Sequence, residues 1–251
     1  MTRLNGKIAV ITGGNSGIGL ATAKRFAAEG AKVIITGRRK EAVDEAVTEI
    51  GSGASGFVAD AASLEDTDRM VAHIQQEHGH IDVLFLNAGV APFGSLAETD
   101  EGSFDQVFGI NVKGLFFTLQ KALPLLAKGS SVILNASVVQ KAGFPGAGAY
   151  AASKAAVRSI GQTAASEFAE HGVRVNLLSP GPVETPIYGK TGLPQAATEE
   201  LGQQLGASIP LGRFGTPDEM ANVALFLASD ESSFINGADI QADGGLTQKL
   251  A

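Results

Sequence analysis

Lys7-Ile8-Ala9-Val10-Ile11-Thr12 followed by Gly13-Gly14-Asn15-Ser16-Gly17-Ile18-Gly19 is the stretch whose reading decides the fold. The first six residues are apolar and β-branched, the signature of a buried strand. The chain then breaks into glycines, and beyond them Ala23, Phe26 and Ala27 recur at helical spacing. Strand, glycine turn, helix is the context that a dinucleotide site requires. The spacing is GxxxGxG through Gly13, Gly17 and Gly19 rather than GxGxxG, yet the physical roles carry over. Gly13 permits a tight turn, Gly17 lets backbone approach a pyrophosphate, and Gly19 lets the helix lie close to the sheet. The helix N-terminus offers free N–H groups and partial positive charge to phosphate. No Gly-Lys-Ser/Thr follows, which excludes a Walker loop.

Working outward, the pattern repeats. Strands are expected at Lys32–Thr36, Phe57–Ala59, Ile81–Leu86, Ser131–Leu134, Val173–Leu178 and Ala238–Ile240. Between them lie helical patterns, including 41–50 and one beginning at Ser63 in which Thr67, Met70, Val71 and Ile74 share a face. Thr216-Pro217-Asp218-Glu219 is a capping box with proline at the first helical position. It opens a helix that turns Met220, Val223, Ala224 and Leu227 inward. Apolar strands alternating with amphipathic helices imply an α/β fold: a doubly wound parallel sheet of about seven strands with helices on both faces. Neither a repeat nor a linker divides residues 1–251, so one domain is expected. Sheets of this kind bind ligands beyond the carboxyl ends of their strands. Gly13–Gly19, Gly37-Arg38, Asp60, Asn87, Ser137 and Pro180 all fall at such ends.

Further along, Tyr150-Ala-Ala-Ser-Lys154 places a phenol and an ammonium four residues apart, on one face of a helix. A tyrosine ordinarily titrates near ~10. A neighbouring cation would lower that value and fit Tyr150 for acid–base work.

Together these segments resemble the short-chain dehydrogenase/reductase family in its single-domain, Rossmann-type branch. The resemblance rests on Thr12-Gly13 through Gly19, Asn87-Ala88-Gly89, Asn111, Ser137, Tyr150 with Lys154, Pro180-Gly181 with Thr185, and Asp243-Gly244-Gly245. Within that family it looks similar to bacterial NADPH-dependent alcohol dehydrogenases and ketoreductases. The resemblance implies hydride transfer between a nicotinamide and a ketone or secondary alcohol. It assigns proton donation to Tyr150, a hydrogen bond on the substrate oxygen to Ser137, ribose binding to Lys154 and a water-anchoring role to Asn111. Cofactor contacts are expected from Gly13, Asn15, Ser16, Gly17, Ile18, Gly19, Asp60, Ala61, Asn87, Ala88, Gly89, Pro180, Gly181, Val183 and Thr185. It also implies a homotetramer built on helices near residues 111–126 and 150–168.

At the end of the second strand, where NAD sites commonly carry Asp or Glu, the chain has Thr36-Gly37-Arg38-Arg39. Gly37 removes a repelling carboxylate, and Arg38 offers a planar permanent cation to a 2′-phosphate. Arg39 either adds a contact or faces solvent. NADP(H) is therefore the expected cofactor.

Composition narrows the field. With 19 Lys and Arg against 26 Asp and Glu, the formal charge is −7 and gives no basic footprint for nucleic acid. No apolar run approaches a membrane span, and Met1–Gly6 leads straight into the first strand, so a cytoplasmic protein is expected. Cysteine is absent. His73, His78 and His80 lack a zinc-binding spacing, so no metal is expected. Residues 183–213 form a long glycine-containing connection of the kind that covers substrates. With Val138, Val139, Gln140 and Phe144, and with Tyr188 either substrate-facing or exposed, it would line a largely apolar pocket. Only Lys141 and Lys190 stand near to grip a charge. A neutral hydrophobic ketone or alcohol is the favoured small-molecule substrate. A 3-oxoacyl thioester, a sugar, or a dinucleotide-binding regulator without catalysis remain alternatives.

Overall fold

The computed structural model describes residues 2–186, 202 and 204–249. Its centre is a seven-stranded sheet formed by β1 (Ile8–Ile11), β2 (Lys32–Gly37), β3 (Ala54–Val58), β4 (Ile81–Leu86), β5 (Leu126–Asn135), β6 (Arg174–Pro180) and β7 (Asp239–Ala242). The spatial order is β3-β2-β1-β4-β5-β6-β7, with every pairing parallel. The strand order reverses between β1 and β4, the switch point where such sheets open a crevice.

Helices α1 (Gly17–Ala28), α2 (Lys40–Ile50), α3 (Leu64–Glu77), α4 (Glu101–Phe108), α5 (Leu115–Ala122), α6 (Gly148–Glu167), α7 (Pro217–Ala228) and the short α8 (Leu246–Lys249) accompany the sheet, with shorter helical turns between them. Two cores result, one on each side of the sheet. Val10 packs with Met70 and Ile74 of α3, Leu115 and Leu119 of α5 and Val157 of α6. Its neighbour Ile11 points the other way, into Phe26 of α1, Val43 of α2 and Met220 and Ala224 of α7. That alternation is the two-residue period of a strand buried on both faces. Each such Val or Ile contributes about 1.5–3 kcal/mol by leaving water.

Several elements differ from the sequence expectation, among them β5, which opens at Leu126, five residues before the anticipated Ser131. β3 begins at Ala54, three residues before the anticipated Phe57. As an edge strand it pairs only with β2, so Ala54-Ser55-Gly56 needs no large apolar side chains. The helix anticipated from Asn111 in fact starts at Glu101, where the Asp100 carboxylate accepts the Ser103 N–H. It passes through a π-helical turn at Gly109–Gly114 before continuing as α5 and ends earlier, since Leu126 already opens β5. Such turns are rare and cluster at functional sites. The capping box holds in full: Thr216 Oγ1 accepts the Glu219 N–H and the Glu219 carboxylate accepts the Thr216 N–H.

Candidate active site

The glycine turn leaves β1 in a left-handed conformation at Gly13 (φ 63°) and again at Gly17 (φ 51°), which favours glycine. At Gly19 the constraint is room: a Cβ would lie 2.3 Å from the Gly13 carbonyl and 2.5 Å from Asn87 Nδ2. Ser16 sits at the N-cap of α1 without making a side-chain cap. Its hydroxyl and the first-turn N–H groups are thus available to an anion.

A run of hydrogen bonds ties this turn to the far side of the cleft. Thr12 Oγ1 accepts the backbone N–H groups of Asn87 (3.0 Å) and Ala88 (3.1 Å). Asn87 Nδ2 donates to the carbonyls of Thr12 and Gly13, both at 3.1 Å. Its Oδ1 accepts from Asn135 Nδ2 at 3.0 Å, and the Asn135 carbonyl accepts Lys154 Nζ at 2.6 Å. The ends of β1, β4 and β5 are so joined to α6. Asn135 was not anticipated, though a polar residue closing an apolar strand two positions before Ser137 is a readable signal.

α6 presents Tyr150 and Lys154 on one face, with Lys154 Nζ 5.7 Å from the Tyr150 ring centroid. Lys154 is only 4% exposed. Burial pushes its pKa down to about 8. Burial also raises Tyr150, while a hydrogen bond with the Ser137 hydroxyl draws it down. The expected lowering of Tyr150 by Lys154 is therefore corrected. The ammonium is directed at the Asn135 carbonyl, and Ser137 is the group that favours the phenolate. Ser137, 7% exposed, follows β5 and its Oγ accepts the Val139 N–H at 3.4 Å.

Asn111 lies within the π-turn. Its Oδ1 accepts the Val90 N–H at 2.9 Å, and its Nδ2 donates to the Val90 carbonyl (2.9 Å) and Ser153 Oγ (3.0 Å). Ser153 in turn donates to the Tyr150 carbonyl at 2.7 Å. The Asn111 side chain thus buttresses the start of α6 and the loop after β4. Gly89 is sandwiched beside it, where a Cβ would lie 3.2 Å from Asn111 Oδ1 and 3.6 Å from Lys154 Nζ.

The glycine turn, Asn87–Gly89, Asn135, Tyr150 and Lys154 border one cleft of about 740 Å³, which Ser137 and Asn111 do not line. Gly13, Asn15, Ser16, Gly17 and Ile18 line one wall, and Asn87, Ala88, Gly89, Asn135, Tyr150 and Lys154 another. Gly37, Arg38, Arg39, Asp60 and Ala61 close the end beyond β2 and β3, and Thr185 reaches in opposite Gly17. Arg38 and Arg39 are exposed and make no ion pair among the described residues. Asp60 Oδ1 accepts the Ala62 N–H at 2.9 Å. Pro180 and Gly181 stand beside β7, Gly181 donating its N–H to the Ala242 carbonyl. Val183 is buried in the core, which leaves only its backbone to a ligand.

The anticipated apolar wall is partly rearranged. Val138 is buried with Ile209 and Leu246, and Phe144 and Phe214 pack against them. Gln140 does not face this wall, because its amide is bonded to Ser179 and Asp239. Lys141 stands 3.7 Å from Asp239. Tyr188 and Lys190 lie outside the described residues.

A family model described as enoyl-(acyl carrier protein) reductase matches residues 13–247, from the glycine turn to the last helix. The chain belongs to the short-chain dehydrogenase/reductase family. A relative named 3-oxoacyl-(acyl-carrier-protein) reductase, from Thermotoga maritima, is 44% identical over 97% of this chain and 99% of its own. A meso-2,3-butanediol dehydrogenase from Serratia marcescens is 39% identical, covering 98% and 96%. The solved structure titled levodione reductase superposes with a TM-score of 0.90 at 31% identity, over 99% of this chain and 100% of that one.

Members of this family bind a nicotinamide dinucleotide, NAD or NADP. The cleft fits such a group. Gly17, with φ 51°, faces Thr185 across the cleft, and a Cβ there would come within 3.3 Å of the Thr185 methyl and narrow the gap. Asn135 Oδ1, on the cleft wall, is a buried acceptor without a protein partner. No group of His, Asp or Glu among the described residues is arranged to hold a metal ion, and no helix among them is long and apolar enough to cross a membrane.

Proposed function

We propose that this oxidoreductase is an NADP(H)-dependent carbonyl reductase and secondary-alcohol dehydrogenase acting on a neutral, hydrophobic substrate. One observation carries the reading: Tyr150 and Lys154 line the same cleft as the glycine turn and the arginine pair beyond Gly37. A bound nicotinamide supplies the hydride exchanged with the carbonyl or carbinol carbon. Gly13–Gly19 and the N-terminus of α1 hold the pyrophosphate. Asp60, Ala61 and Asn87–Gly89 border the adenosine, and Thr185 with the backbone at Pro180, Gly181 and Val183 meets the nicotinamide end.

In reduction Tyr150 donates its phenolic proton to the substrate oxygen. Ser137 hydrogen-bonds the same oxygen and stabilises the charge that develops there. Lys154, its pKa brought down to about 8, holds the ribose hydroxyls and exchanges a proton close to neutral pH. Asn111 fixes the helix on which both stand. Val139 and Phe144 offer an apolar surface; the substrate-covering role of 183–213 within a single domain rests on its sequence, since 187–201 and 203 lie outside the described residues. Exposed Phe104 and Phe116 near α4 and α5 suit the burial expected of a homotetramer, and a cytoplasmic setting fits the chain's chemistry.

The cofactor choice rests on charge. Gly37 places no carboxylate at the end of β2, where a Cβ would already meet Asn15 Oδ1 at 2.7 Å, and a hydrogen bond to a charged group contributes about 1.5–3 kcal/mol. NADPH is therefore preferred over NADH by roughly tenfold or more in kcat/KM. Gly37→Asp combined with Arg38→Leu reverses that preference; equal use of the two cofactors by the unaltered protein rejects the reading. A second reading, reduction of a 3-oxoacyl thioester, draws support from the 44% identity to the Thermotoga maritima relative. A panel of neutral ketones assayed against acetoacetyl-CoA separates the two.

A further inference from the structure

Ser137 is followed directly by a tight turn, Val138–Gln140, closed at its far end by an ordinary backbone bond from Lys141 N–H to the Val138 carbonyl at 3.0 Å but held loosely at the Ser137 end. Gln140 N–H to the Ser137 carbonyl spans 3.3 Å, and Val139 N–H to Ser137 Oγ spans 3.4 Å. Both exceed the usual 2.9–3.0 Å, and O–H or N–H bonds weaken as they lengthen. What ties the turn to the neighbouring strands is the Gln140 side chain. Its Nε2 donates at 3.0 Å to Ser179 Oγ on β6 and at 3.0 Å to Asp239 Oδ2 on β7. Ser179 commits its own proton to Asp239 Oδ1. Asp239, with a side chain only 9% exposed, also faces Arg158 Nε of α6 at 3.4 Å and Lys141 Nζ at 3.7 Å.

This arrangement allows the amide one orientation. A carboxylate accepts only, and a serine whose proton is spent accepts as well, so both neighbours require the NH₂ side of Gln140. Its carbonyl Oε1 is left buried without a partner. An orphan of that kind destabilises the fold, which an apolar side chain filling the same gap would avoid. The amide therefore gives direction at the expense of stability.

We propose that Gln140, anchored by Asp239 and Ser179, is a positioning residue that fixes the Ser137 hydroxyl against Tyr150. The inference rests on the reading of Ser137 as the group that binds the substrate oxygen. The turn hangs from β5 at one end and from the β6–β7 pair at the other, so the Ser137 hydroxyl has little room to swing.

The test uses the full-length protein with NADPH and its best substrate from the ketone panel. Gln140→Met, which keeps length and loses both donors, lowers kcat and kcat/KM together by roughly tenfold or more, with the NADPH dissociation constant unchanged. Amide hydrogen exchange at 138–141 accelerates in the same variant. In a Ser137→Ala background the Gln140→Met effect shrinks to within about twofold, because a positioning residue has nothing left to position. Gln140→Glu sets two carboxylates together and also loses turnover, and adding Asp239→Asn restores it, because the new amide donates to the new carboxylate and Ser179 turns its hydroxyl proton from residue 239 to residue 140.

An undiminished Gln140→Met loss in the Ser137→Ala background overturns the proposal, as does unchanged turnover in Gln140→Met. If Gln140→Met does not fold, failure of Asp239→Asn to rescue Gln140→Glu overturns it instead. Full activity in Ser137→Ala alone removes the underlying reading along with it, whereas loss there with normal Gln140→Met turnover removes only this proposal.

Discussion

The turn after β1 and the start of α6 face each other across one cleft but are built by opposite means. Around Gly13–Gly19 the surface is backbone, and what matters is the atoms that are missing: a Cβ at Gly19 has no place to go. Around Tyr150 and Lys154 the surface is functional groups, and what matters is the atoms that are present. The first region is damaged by adding a methyl group, the second by deleting an oxygen. One recognises by shape and the other acts by chemistry, so binding and turnover should fail separately.

The largest effect sharpens the chemical side. Tyr150→Phe removes one oxygen, and turnover is expected to fall by roughly 10²–10⁴-fold while NADPH fluorescence titrations report unaltered binding. Near-normal turnover would break the division between the two regions. The next effect reads the cost of burying a charge. The Lys154 pKa falls from its usual 10.5 to about 8 because burial disfavours the ammonium, which corresponds to about 3 kcal/mol. Below pH 8 the folded chain carries that full penalty. Between about 8 and 10.5 it has released a proton that the unfolded chain still holds, so this contribution raises stability with pH. Denaturant unfolding of the protein and of Lys154→Met, compared at pH 7 and pH 10, should show their difference moving in favour of the lysine form as pH rises. A pH-independent difference would show that Lys154 is not desolvated. The smallest effect belongs to the shape side. Gly19→Ala overpacks a contact with backbone and is expected to destabilise by about 1–3 kcal/mol, read as a lower melting temperature. Its turnover per bound cofactor should stay intact, since nothing chemical has been removed.

How far the molecule was legible follows the same division. The strand–glycine–helix start, the capping box at Thr216 and the Tyr150–Lys154 spacing are local patterns, so the sequence carries them whole. The beginning of β3 was hidden because an edge strand tolerates Ala54-Ser55-Gly56 without an apolar signal. The early start of α4 was hidden because Asp100 caps it before any apolar periodicity begins. Asn135 and Gln140 escape a local reading for another reason. Their roles depend on partners distant in sequence, Asn87 for the one and Asp239 for the other, and no local pattern reports such a pairing. The spacing of Tyr150 and Lys154 suggests a lowered Tyr150 pKa, whereas burial raises it. The outcome was set by burial and by the direction of the ammonium, which are properties of the packed site.

The hydrogen-bonded run from Thr12 through Asn87 and Asn135 to Lys154 acts as a spacer of fixed length. Every link before the last consists of hydroxyl, amide and peptide groups, none of which gains or loses a proton in the working range. Titration can alter the lysine at its end without changing the distance between the phosphate-binding turn and the proton-handling helix. Protonation thus sets when the site can act, and a non-ionisable frame sets where.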